Sequence, residues 1–407
     1  MHLRKMTGTS EKLLTNIKAD KVIGMSNLEI TRLKKENCSE LTEFLNAVFT
    51  AQNGYEMHFE NLYPRIFKES DKTMGWHLAA KDSGKICGVV ASYPFKYHIG
   101  DRILNAAAMG NVAVDTNYRG QGIMQMLMKR ICLENKEEGI DLCYLHGDRW
   151  RYRNFGFERC GTEICFHIKA SMLREHIVSK KYRFEEIAQE KTDLIDKLFS
   201  FYNTQKTYEE RKRESFYEAM TAKGHITYVL LTEDGTAEGY ITVTSDKETV
   251  IEIALNNSKD FADVFKAYIE ENAFQVIYVN VPEYNPVVAE AFKYADRYVV
   301  FQPGNFLVLN FKNVVEAFMR EKCKYTNLPD GVISINSDIF GKWSIKKDKN
   351  IIEINPFEGE ADFTLDGYSV YQFLFGTLPL YNKNNDAKKD ALIKAWLPLP
   401  LYCPYLS

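Results

Sequence analysis

The sequence lacks the features that define several large classes of protein. No apolar run approaches the ~20 residues that a helix needs to span a bilayer. The net charge is also small, because 52 Lys and Arg against 55 Asp and Glu give −3 at pH 7. Such a chain has no strong overall field to attract nucleic acid or an anionic membrane. We therefore expect neither nucleic-acid binding nor membrane insertion.

Metal-binding and secretory patterns are missing as well. The 8 cysteines include no Cys-x-x-Cys pair, no paired His-Cys spacing occurs, and no histidine lies beyond His225. We therefore expect reduced thiols and no metal site. Residues 1–26 carry charges throughout and lack the apolar segment of a signal peptide, which favours a cytoplasmic protein. These residues are either a flexible N-terminal extension, or Met25 is the natural start.

Length and repetition predict the domain organisation. At ~150 residues per domain, 407 residues correspond to two or three domains. A strand–turn–strand pattern that starts at Gly75 (GWHLAAKDSGKICGVVASYP) returns at Gly224 (GHITYVLLTEDGTAEGYITVTS), which indicates a duplicated α/β unit. From Gly304 onward, helices and strands no longer alternate regularly, so an α+β unit follows. We predict domains over 27–170, 171–304 and 305–407.

A charged run lies early in the second predicted domain. The segment Tyr208–Ser215 (YEERKRES) falls within a helix predicted over Thr207–Met220. Runs of mixed charge on a helix usually face solvent, so we interpret this run as a solvated face.

The segment Val112–Gln125 (VAVDTNYRGQGIMQ) carries the clearest chemical signal. A predicted strand ends at Val114, and Arg119, Gly120 and Gly122 directly precede a predicted helix over Ile123–Glu137. Glycines let the backbone approach a ligand closely, and the free N–H groups of a first helical turn attract anions. The segment is neither a Walker A loop nor a complete G-x-G-x-x-G motif. It therefore predicts a phosphate-binding loop of another kind.

Three segments together resemble a known family. The Arg-Gly-x-Gly-Ile motif at Arg119–Ile123 is similar to that of the GNAT superfamily of N-acetyltransferases, which bind the pyrophosphate of acetyl-CoA. Gly147–Gly161 (GDRWRYRNFGFERCG) resembles the Y-x-x-F-G-F/Y element of the Eis (enhanced intracellular survival) acetyltransferases, and Ala361–Gly376 (ADFTLDGYSVYQFLFG) resembles their sterol-carrier element. The resemblance implies an α/β (α+β) fold: two tandem GNAT-like mixed-sheet units, the second degenerate, followed by an α+β sterol-carrier-like unit.

The resemblance also implies a bacterial enzyme with acetyl-CoA as co-substrate and a primary-amine acceptor. Family acceptors are aminoglycosides, polyamines and peptide lysines, and family members form homo-oligomers such as hexamers. Residues of one segment are either an acidic, aromatic acceptor mouth or an ordinary helix face: Tyr55, Glu56, Phe59 and Glu60. The residues implied to contact acetyl-CoA are Val112, Ala113, Val114, Arg119, Gly120, Gln121, Gly122, Ile123, Met124, Gln125, Gly147 and Asp148.

The resemblance implies Tyr152 as the general acid for the departing thiolate. The strand over 102–114 holds no carboxylate to act as base, and the resemblance implies the C-terminal carboxylate, here that of Ser407. The tail Trp396–Ser407 (WLPLPLYCPYLS) has no charged side chain, so we expect it to dock in a groove.

Several alternatives stay open. In one alternative the tail only completes the core of the third domain, and His146 and Asp148 are alternative bases. The whole chain is alternatively a CoA- or lipid-binding module without turnover, or an acyltransferase with a longer acyl donor.

Overall fold

The computed structural model describes residues 28–378 and 386–403. The predicted N-terminal extension (residues 1–26) and the predicted base, Ser407, lie outside these ranges. The described residues form two compact units. Unit 1 comprises residues 28–60, 66–160, 303–378 and 386–403, and unit 2 comprises residues 61–65 and 161–302. The three domain ranges stay a prediction.

Between Leu28 and Cys160 the described chain contains six strands and five α-helices. They are β1 (Leu28–Arg32), α1 (Cys38–Asn53), α2 (Phe59–Leu62), α3 (Asp71–Met74), β2 (His77–Asp82), β3 (Lys85–Ile99), β4 (Arg102–Val114), α4 (Ile123–Glu137), β5 (Leu142–Leu145), α5 (Arg149–Arg153) and β6 (Glu158–Cys160).

The second stretch repeats this alternation. Its elements are β7 (Glu163–Lys169), α6 (Ala170–Leu173), β8 (Tyr182–Glu186), α7 (Thr192–Tyr202), β9 (Thr207–Glu209), α8 (Phe216–Met220), β10 (Ile226–Thr232), β11 (Ala237–Val243), β12 (Thr249–Leu255), α9 (Phe261–Asn272), β13 (Val276–Pro282), α10 (Val288–Tyr294) and β14 (Arg297–Phe301).

The third stretch is α+β, as expected. It contains β15 (Gly304–Val308), α11 (Phe311–Lys322), β16 (Gly331–Ser337), β17 (Gly341–Asp348), β18 (Ile351–Pro356), β19 (Phe363–Leu365), α12 (Ser369–Phe375) and α13 (Ala387–Trp396). Four of its strands form a separate sheet in the order β18-β17-β16-β19. That this region is sterol-carrier-like stays a prediction. In the described ranges, no helix combines the length and the hydropathy required to cross a membrane.

The two large sheets have the same strand order. Unit 1 is ordered β1-β2-β3-β4-β5-β15-β6, and unit 2 is ordered β8-β10-β11-β12-β13-β7-β14. In unit 1 the strand between β5 and β6 is β15, which comes after all of unit 2 in sequence. In unit 2 the corresponding strand is β7, which precedes the rest of its sheet. The predicted mixed α/β fold class is confirmed.

Helix α4 covers one face of the unit 1 sheet. Its inward side chains are buried, among them Ile123, Leu127, Met128 and Ile131, and they recur at the spacing of one helical face. Each such side chain contributes roughly 1.5–3 kcal/mol to folding. This packing fixes the helix, and with it the loop that precedes it.

The apolar tail is docked as far as the structure describes it. Leu399 and Leu401 are fully buried, and the Leu399 amide donates a hydrogen bond to the Leu374 carbonyl at 2.7 Å. The Lys322 ammonium donates to the Pro398 carbonyl at 2.6 Å. Residues 397–403 therefore belong to the core of unit 1.

The prediction of a solvated helix over Thr207–Met220 is wrong. The segment forms β9 and the short α8, and the side chains of Glu209 and Arg211 are only 1% and 3% exposed. Arg211 donates two hydrogen bonds to the Glu252 carboxylate, at 3.0 and 3.3 Å. Arg65 donates to Glu209 at 3.1 Å. Charges can be buried when they are paired in this way, which the charge pattern alone does not reveal.

Candidate functional site

The site begins where two parallel strands of unit 1 separate. The pairing of β4 with β5 covers Ala106–Ala108 opposite Leu142–Tyr144. Strand β4 then continues to Val114. The two strands therefore diverge beyond Ala108, which opens a crevice at their carboxyl ends, the usual ligand position in α/β sheets.

A β-bulge lies in the diverging part of β4. Val89 pairs with Ala113 and Ala91 with Gly110, so two residues of β4, Asn111 and Val112, oppose one residue of β3. Asn111 has φ of 51°, a left-handed conformation that asparagine tolerates better than most residues. A bulge bends its strand and redirects the backbone groups around it.

The side chain of Asn111 is held by a buried histidine. Its Nδ2 lies 3.1 Å from His77 Nε2, and the Tyr93 hydroxyl lies 3.3 Å from the same nitrogen. His77 Nδ1 lies 3.2 Å from the Thr73 carbonyl oxygen, which can only accept, so Nδ1 carries the proton and Nε2 is the acceptor. Burial lowers the pKa of His77 to about 4, so the ring stays neutral at pH 7 and keeps this arrangement.

The glycine loop that follows has the conformation of an anion cradle. Gly120 and Gly122 have φ of 77° and 82°, and an added Cβ at either would meet nothing within 4 Å. The space in front of both glycines is therefore open. Helix α4 starts directly after Gly122, and its first-turn N–H groups have no partner within the helix. An anion placed there is favoured by these donors and by the helix dipole.

A cavity of about 870 Å³ opens at this loop. Every predicted acetyl-CoA residue between Val112 and Gln125 lines it, whereas Gly147 and Asp148 do not. Sequence analysis missed four lining residues. Val48 and Gln52 come from α1, and no local pattern links that helix to the loop. Tyr118 and Arg151 adjoin the recognised motifs and could have been included. The full lining is Val48, Gln52, Val112, Ala113, Val114, Tyr118, Arg119, Gly120, Gln121, Gly122, Ile123, Met124, Gln125 and Arg151.

Tyr152 lies on α5, next to the cavity residue Arg151. The carboxylate of Asp148 caps this helix by accepting from the Arg151 amide at 2.8 Å. The Tyr152 ring lies against Gly147, where an added Cβ would come within 2.7 Å of the ring. Burial raises the pKa of the Tyr152 phenol, and the neighbouring Arg151 opposes this. The phenol is therefore protonated at neutral pH and able to donate.

The turn after Tyr152 is fixed by the C-terminal stretch of unit 1. The Tyr371 hydroxyl donates to the Gly156 carbonyl at 3.3 Å and accepts from the Val308 amide at 3.1 Å. Gln372 Nε2 donates to the Arg159 carbonyl at 2.7 Å. Helix α12 thus holds the segment that follows the predicted acid, although it lies over 200 residues away in sequence.

The remaining candidates lie in different environments. His146 is exposed, with its Nε2 2.8 Å from the Tyr144 hydroxyl. Tyr55 is 64% exposed, whereas Phe59 is buried, with its ring centroid 5.0 Å from that of Phe49. Glu60 accepts a hydrogen bond from Asn46 at 3.0 Å. The four acceptor-mouth candidates therefore do not form one exposed face. Within residues 28–378 and 386–403, no three His, Cys, Asp or Glu side chains cluster as metal ligands would.

Comparison with known proteins identifies the domain that holds this site. Residues 29–160 match the family described as Acetyltransferase (GNAT) domain. This range contains β1 to β6, the bulge, the glycine loop and α4. The match covers this range of the chain alone, and the predicted transferase class is confirmed at this level. No curated protein sequence compared with the chain matches it.

Solved structures share the fold across most of the chain. A GCN5-related N-acetyltransferase from Kribbella flavida is 14% identical, with a TM-score of 0.66 over 92% of this chain and 96% of that one. A probable N-acyltransferase from Enterococcus faecalis V583 is 14% identical, with a TM-score of 0.65 over 92% and 98%. Eis1 from Mycobacterium abscessus is 13% identical, with a TM-score of 0.62 over 93% and 99%. The predicted resemblance to GNAT and Eis proteins is thus confirmed as a shared fold.

Proposed function

We propose that this chain transfers the acetyl group of acetyl-CoA to a primary amine of a cationic acceptor: an aminoglycoside, a polyamine or a lysine side chain. The observation that carries the proposal is the cavity of about 870 Å³ that joins the crevice beside β4 to the N-terminus of α4. When bound, acetyl-CoA supplies an acyl group activated as a thioester.

The residues of unit 1 fit the phosphates and the thioester of this co-substrate. The backbone N–H groups that follow Gly120 and the side chain of Arg119 would hold the pyrophosphate, because the space in front of the loop is open. A backbone N–H at the bulge would donate to the thioester carbonyl, where negative charge develops during transfer. His77 acts as a positioning residue, since it holds Asn111 and thereby the bulge.

Two groups would move protons. Tyr152, protonated at neutral pH, would donate to the thiolate that leaves, and a positioned acid of this kind contributes roughly 10²–10⁴-fold to the rate. The acceptor ammonium must lose a proton before it attacks. The Ser407 carboxylate is the proposed base, with His146 and Asp148 as alternatives.

Turnover of acetyl-CoA with polyamines, aminoglycosides and lysine peptides tests the proposal. We expect turnover with at least one of these acceptors. The native chain is compared with a chain that carries one added glycine after Ser407. Loss of turnover in the extended chain supports Ser407 as base, and equal turnover assigns the base to His146, Asp148 or water. Acetyl-CoA binding without turnover on any acceptor would overturn the proposal in favour of a binding module. Turnover only with longer acyl-CoA donors would overturn the acetyl assignment.

We also propose that the protein is a homo-oligomer. Strand β14 is an edge strand of the unit 2 sheet, and Tyr298, Val299 and Val300 on it are 52%, 48% and 41% exposed. Because consecutive residues point to opposite faces, both faces of this apolar edge are exposed, which is a typical pairing surface for a second copy. Light scattering should show an oligomer such as a hexamer, and Val299→Lys should shift it to smaller species. A monomeric native chain would contradict this.

A further inference from the structure

A buried carboxylate lies next to the helix that carries the proposed acid. Glu158, the first residue of β6, is fully buried. Helix α5 spans only five residues, and so short a helix has little stability of its own. The cap at Asp148 fixes only its N-terminal end. The side-chain contacts of α5 therefore decide how the helix is rotated about its axis and where Tyr152 points.

Two arginines of α5 reach the Glu158 carboxylate. Arg149 Nε and Nη2 each lie 2.5 Å from Oε1, and Arg153 Nε lies 3.4 Å from Oε2. Arg149 and Arg153 are four positions apart and therefore lie on the same face of the helix. Because both hold one carboxylate from successive turns, they oppose rotation and tilt of α5. Tyr152 lies between them in sequence and turns with the helix.

The carboxylate is itself held in place by the C-terminal stretch of unit 1. Glu158 pairs with Phe306 of β15, and Gln372 Nε2 of α12 lies 3.4 Å from its Oε1. Arg153 is anchored a second time, because its guanidinium carbon lies 4.4 Å from the centroid of the Tyr368 ring. The Tyr368 hydroxyl also donates to the Arg153 carbonyl. Glu158 is thus a fixed point from which α5 is oriented.

The surface against which the Tyr152 ring packs is fixed as well. The ring lies against Gly147, whose carbonyl accepts from Asn305 Nδ2 at 3.1 Å and from Arg159 Nη2 at 2.6 Å. Asn305 is fully buried. Since this backbone is held in place, a rotation of α5 would move the phenol relative to it.

We propose that Glu158 is a positioning residue: through the two arginines it sets the orientation of α5 and so of the Tyr152 phenol. The inference rests on the proposed function of Tyr152 as the acid. The Glu158 carboxylate is buried among guanidinium groups and moves no proton in this role. Without its charge, fewer molecules hold the phenol in the productive orientation, and a displacement of about 1 Å can cost on the order of 100-fold in rate.

The first test observes the phenol without any turnover. A fluorotyrosine replaces Tyr152 alone in the full chain, and its fluorine NMR line is recorded. We expect one narrow line in the native background and a shifted or broadened line in Glu158→Gln. Glu209→Gln is the matched control, because Glu209 is also a buried carboxylate beside two arginines, Arg65 and Arg211, but lies in unit 2. It should leave the line unchanged. An unchanged line in Glu158→Gln would overturn the proposal.

Kinetics separate a positioning role from a general loss of stability. Glu158→Gln should lower kcat about tenfold, with KM for acetyl-CoA within about twofold of native, and Glu209→Gln should keep native kcat. In a chain that already carries Tyr152→Phe, Glu158→Gln should lower kcat by less than about twofold further, because both changes remove the same contribution. Equal losses in both backgrounds would overturn the proposal, since Glu158 would then act independently of Tyr152.

A milder variant keeps the proposal testable if Glu158→Gln fails to fold. Arg149 is half-buried, so Arg149→Met perturbs the core less, and Glu158 keeps its contact with Arg153. We expect a changed fluorine line and about a threefold loss of kcat. A native line in Arg149→Met together with native kcat would overturn the proposal. Absence of turnover in the native chain would count against the proposed acetyl transfer alone, and the fluorine line would still decide whether Glu158 orients the phenol.

Discussion

The two large sheets share more than strand order, and they differ at one decisive place. In unit 2 the parallel pairing of β12 with β13 is short, Thr249–Val250 opposite Tyr278–Val279, as it is for β4 and β5 in unit 1. A register shift between Thr242 and Val243 gives β12 one extra residue, as the bulge does in β4. Both units therefore share a short parallel pairing and one extra residue in the strand that precedes the helix.

The difference lies at the helix that follows. In unit 1 the N-terminus of α4 is preceded by glycines and faces a cavity. In unit 2 the first turn of α9 contains Asp263, which is 2% exposed and accepts hydrogen bonds from Ser179 Oγ at 2.6 Å, the Lys180 amide at 2.9 Å and His176 Nε2 at 2.6 Å.

Unit 2 thus places its own carboxylate where unit 1 leaves room for an external anion. Burial alone raises the pKa of Asp263, but hydrogen bonds from Ser179 and His176 outweigh it and hold the pKa below its usual value. Carboxylates are favoured near helix N-termini for the same electrostatic reason as phosphates. One helix terminus therefore holds an internal carboxylate, and the other is the proposed binding site for an external anion.

Blocking the unit 1 loop should have the largest effect. Gly122→Val forces a side chain into a left-handed conformation and disturbs the N–H groups that would hold the pyrophosphate. We expect kcat/KM for acetyl-CoA to fall about 1000-fold, since a few charge-assisted hydrogen bonds together contribute about 4 kcal/mol. Steady-state kinetics measure this. Gly235→Val in a unit 2 turn, where φ is 83°, is the matched control and should leave kcat/KM unchanged. Equal losses in both variants would contradict a binding role for the loop.

The corresponding histidines at the start of β2 and β10 should make stability depend on pH. Burial lowers the pKa of His77 and of His225 to about 4, so the unfolded chain binds more protons between about pH 4 and pH 6.5. The free energy of unfolding should therefore decrease as the pH is lowered from about 6.5 to about 4, by about 3 kcal/mol for His77 alone.

Urea unfolding at several pH values measures the dependence. His77→Gln should flatten the curve more than His225→Gln, because His77 is fully buried and His225 only partly so. Identical slopes in the native chain and in His77→Gln would refute the assignment of a buried neutral ring.

Removal of the proposed acid should reduce turnover without harming the fold. Tyr152→Phe is expected to lower kcat about 100-fold while KM for acetyl-CoA changes little. Because burial raises the pKa of Tyr152, native activity should persist above the usual titration range of tyrosine before it falls. Tyr268→Phe in unit 2 is the control and should keep native kcat. Tyr268 is buried like Tyr152, and its hydroxyl donates a hydrogen bond to the Lys247 carbonyl. A native kcat in Tyr152→Phe would show that the thiolate needs no acid from this residue.

Weakening the internal anion of unit 2 should give the smallest effect. Asp263→Asn removes the charge that accepts from Ser179 and His176, and we expect the free energy of unfolding to fall by about 2 kcal/mol with kcat within twofold of native. Chemical denaturation and kinetics on one preparation test both statements. Glu190→Gln, at an exposed position of the same unit, is the control and should change neither quantity appreciably. A loss of kcat in Asp263→Asn that exceeds its loss of stability would indicate that unit 2 contributes to the reaction.

Local features were predictable, and long-range contacts were not. The glycine loop before α4 could be recognised because a strand end, two glycines and a helix start lie within a few residues of one another. The hydrogen bond between Asn111 and His77 joins residues 34 positions apart in sequence. Only the pairing of β2, β3 and β4 brings these residues together. The hydrogen bond from the Tyr371 hydroxyl to the Gly156 carbonyl joins residues 215 positions apart, and it too depends on tertiary packing.

The charged segment Tyr208–Ser215 and strand β15 show the same division. A charge run does not reveal whether its charges face solvent or pair with counter-ions inside the fold. Here Glu209 and Arg211 pair with the half-buried Arg65 and Glu252. The pattern of Gly304–Val308 indicates a strand, but not that it completes a sheet begun over 150 residues earlier. Amino-acid order alone specified the glycine loop before α4 and the repeated strand pattern, because glycine conformation, helix starts and hydrophobic period are local properties. Only the tertiary structure decided which residues pair with Glu209 and Arg211, and where β7 and β15 lie in their sheets. Packing and strand pairing join residues without regard to their distance along the chain.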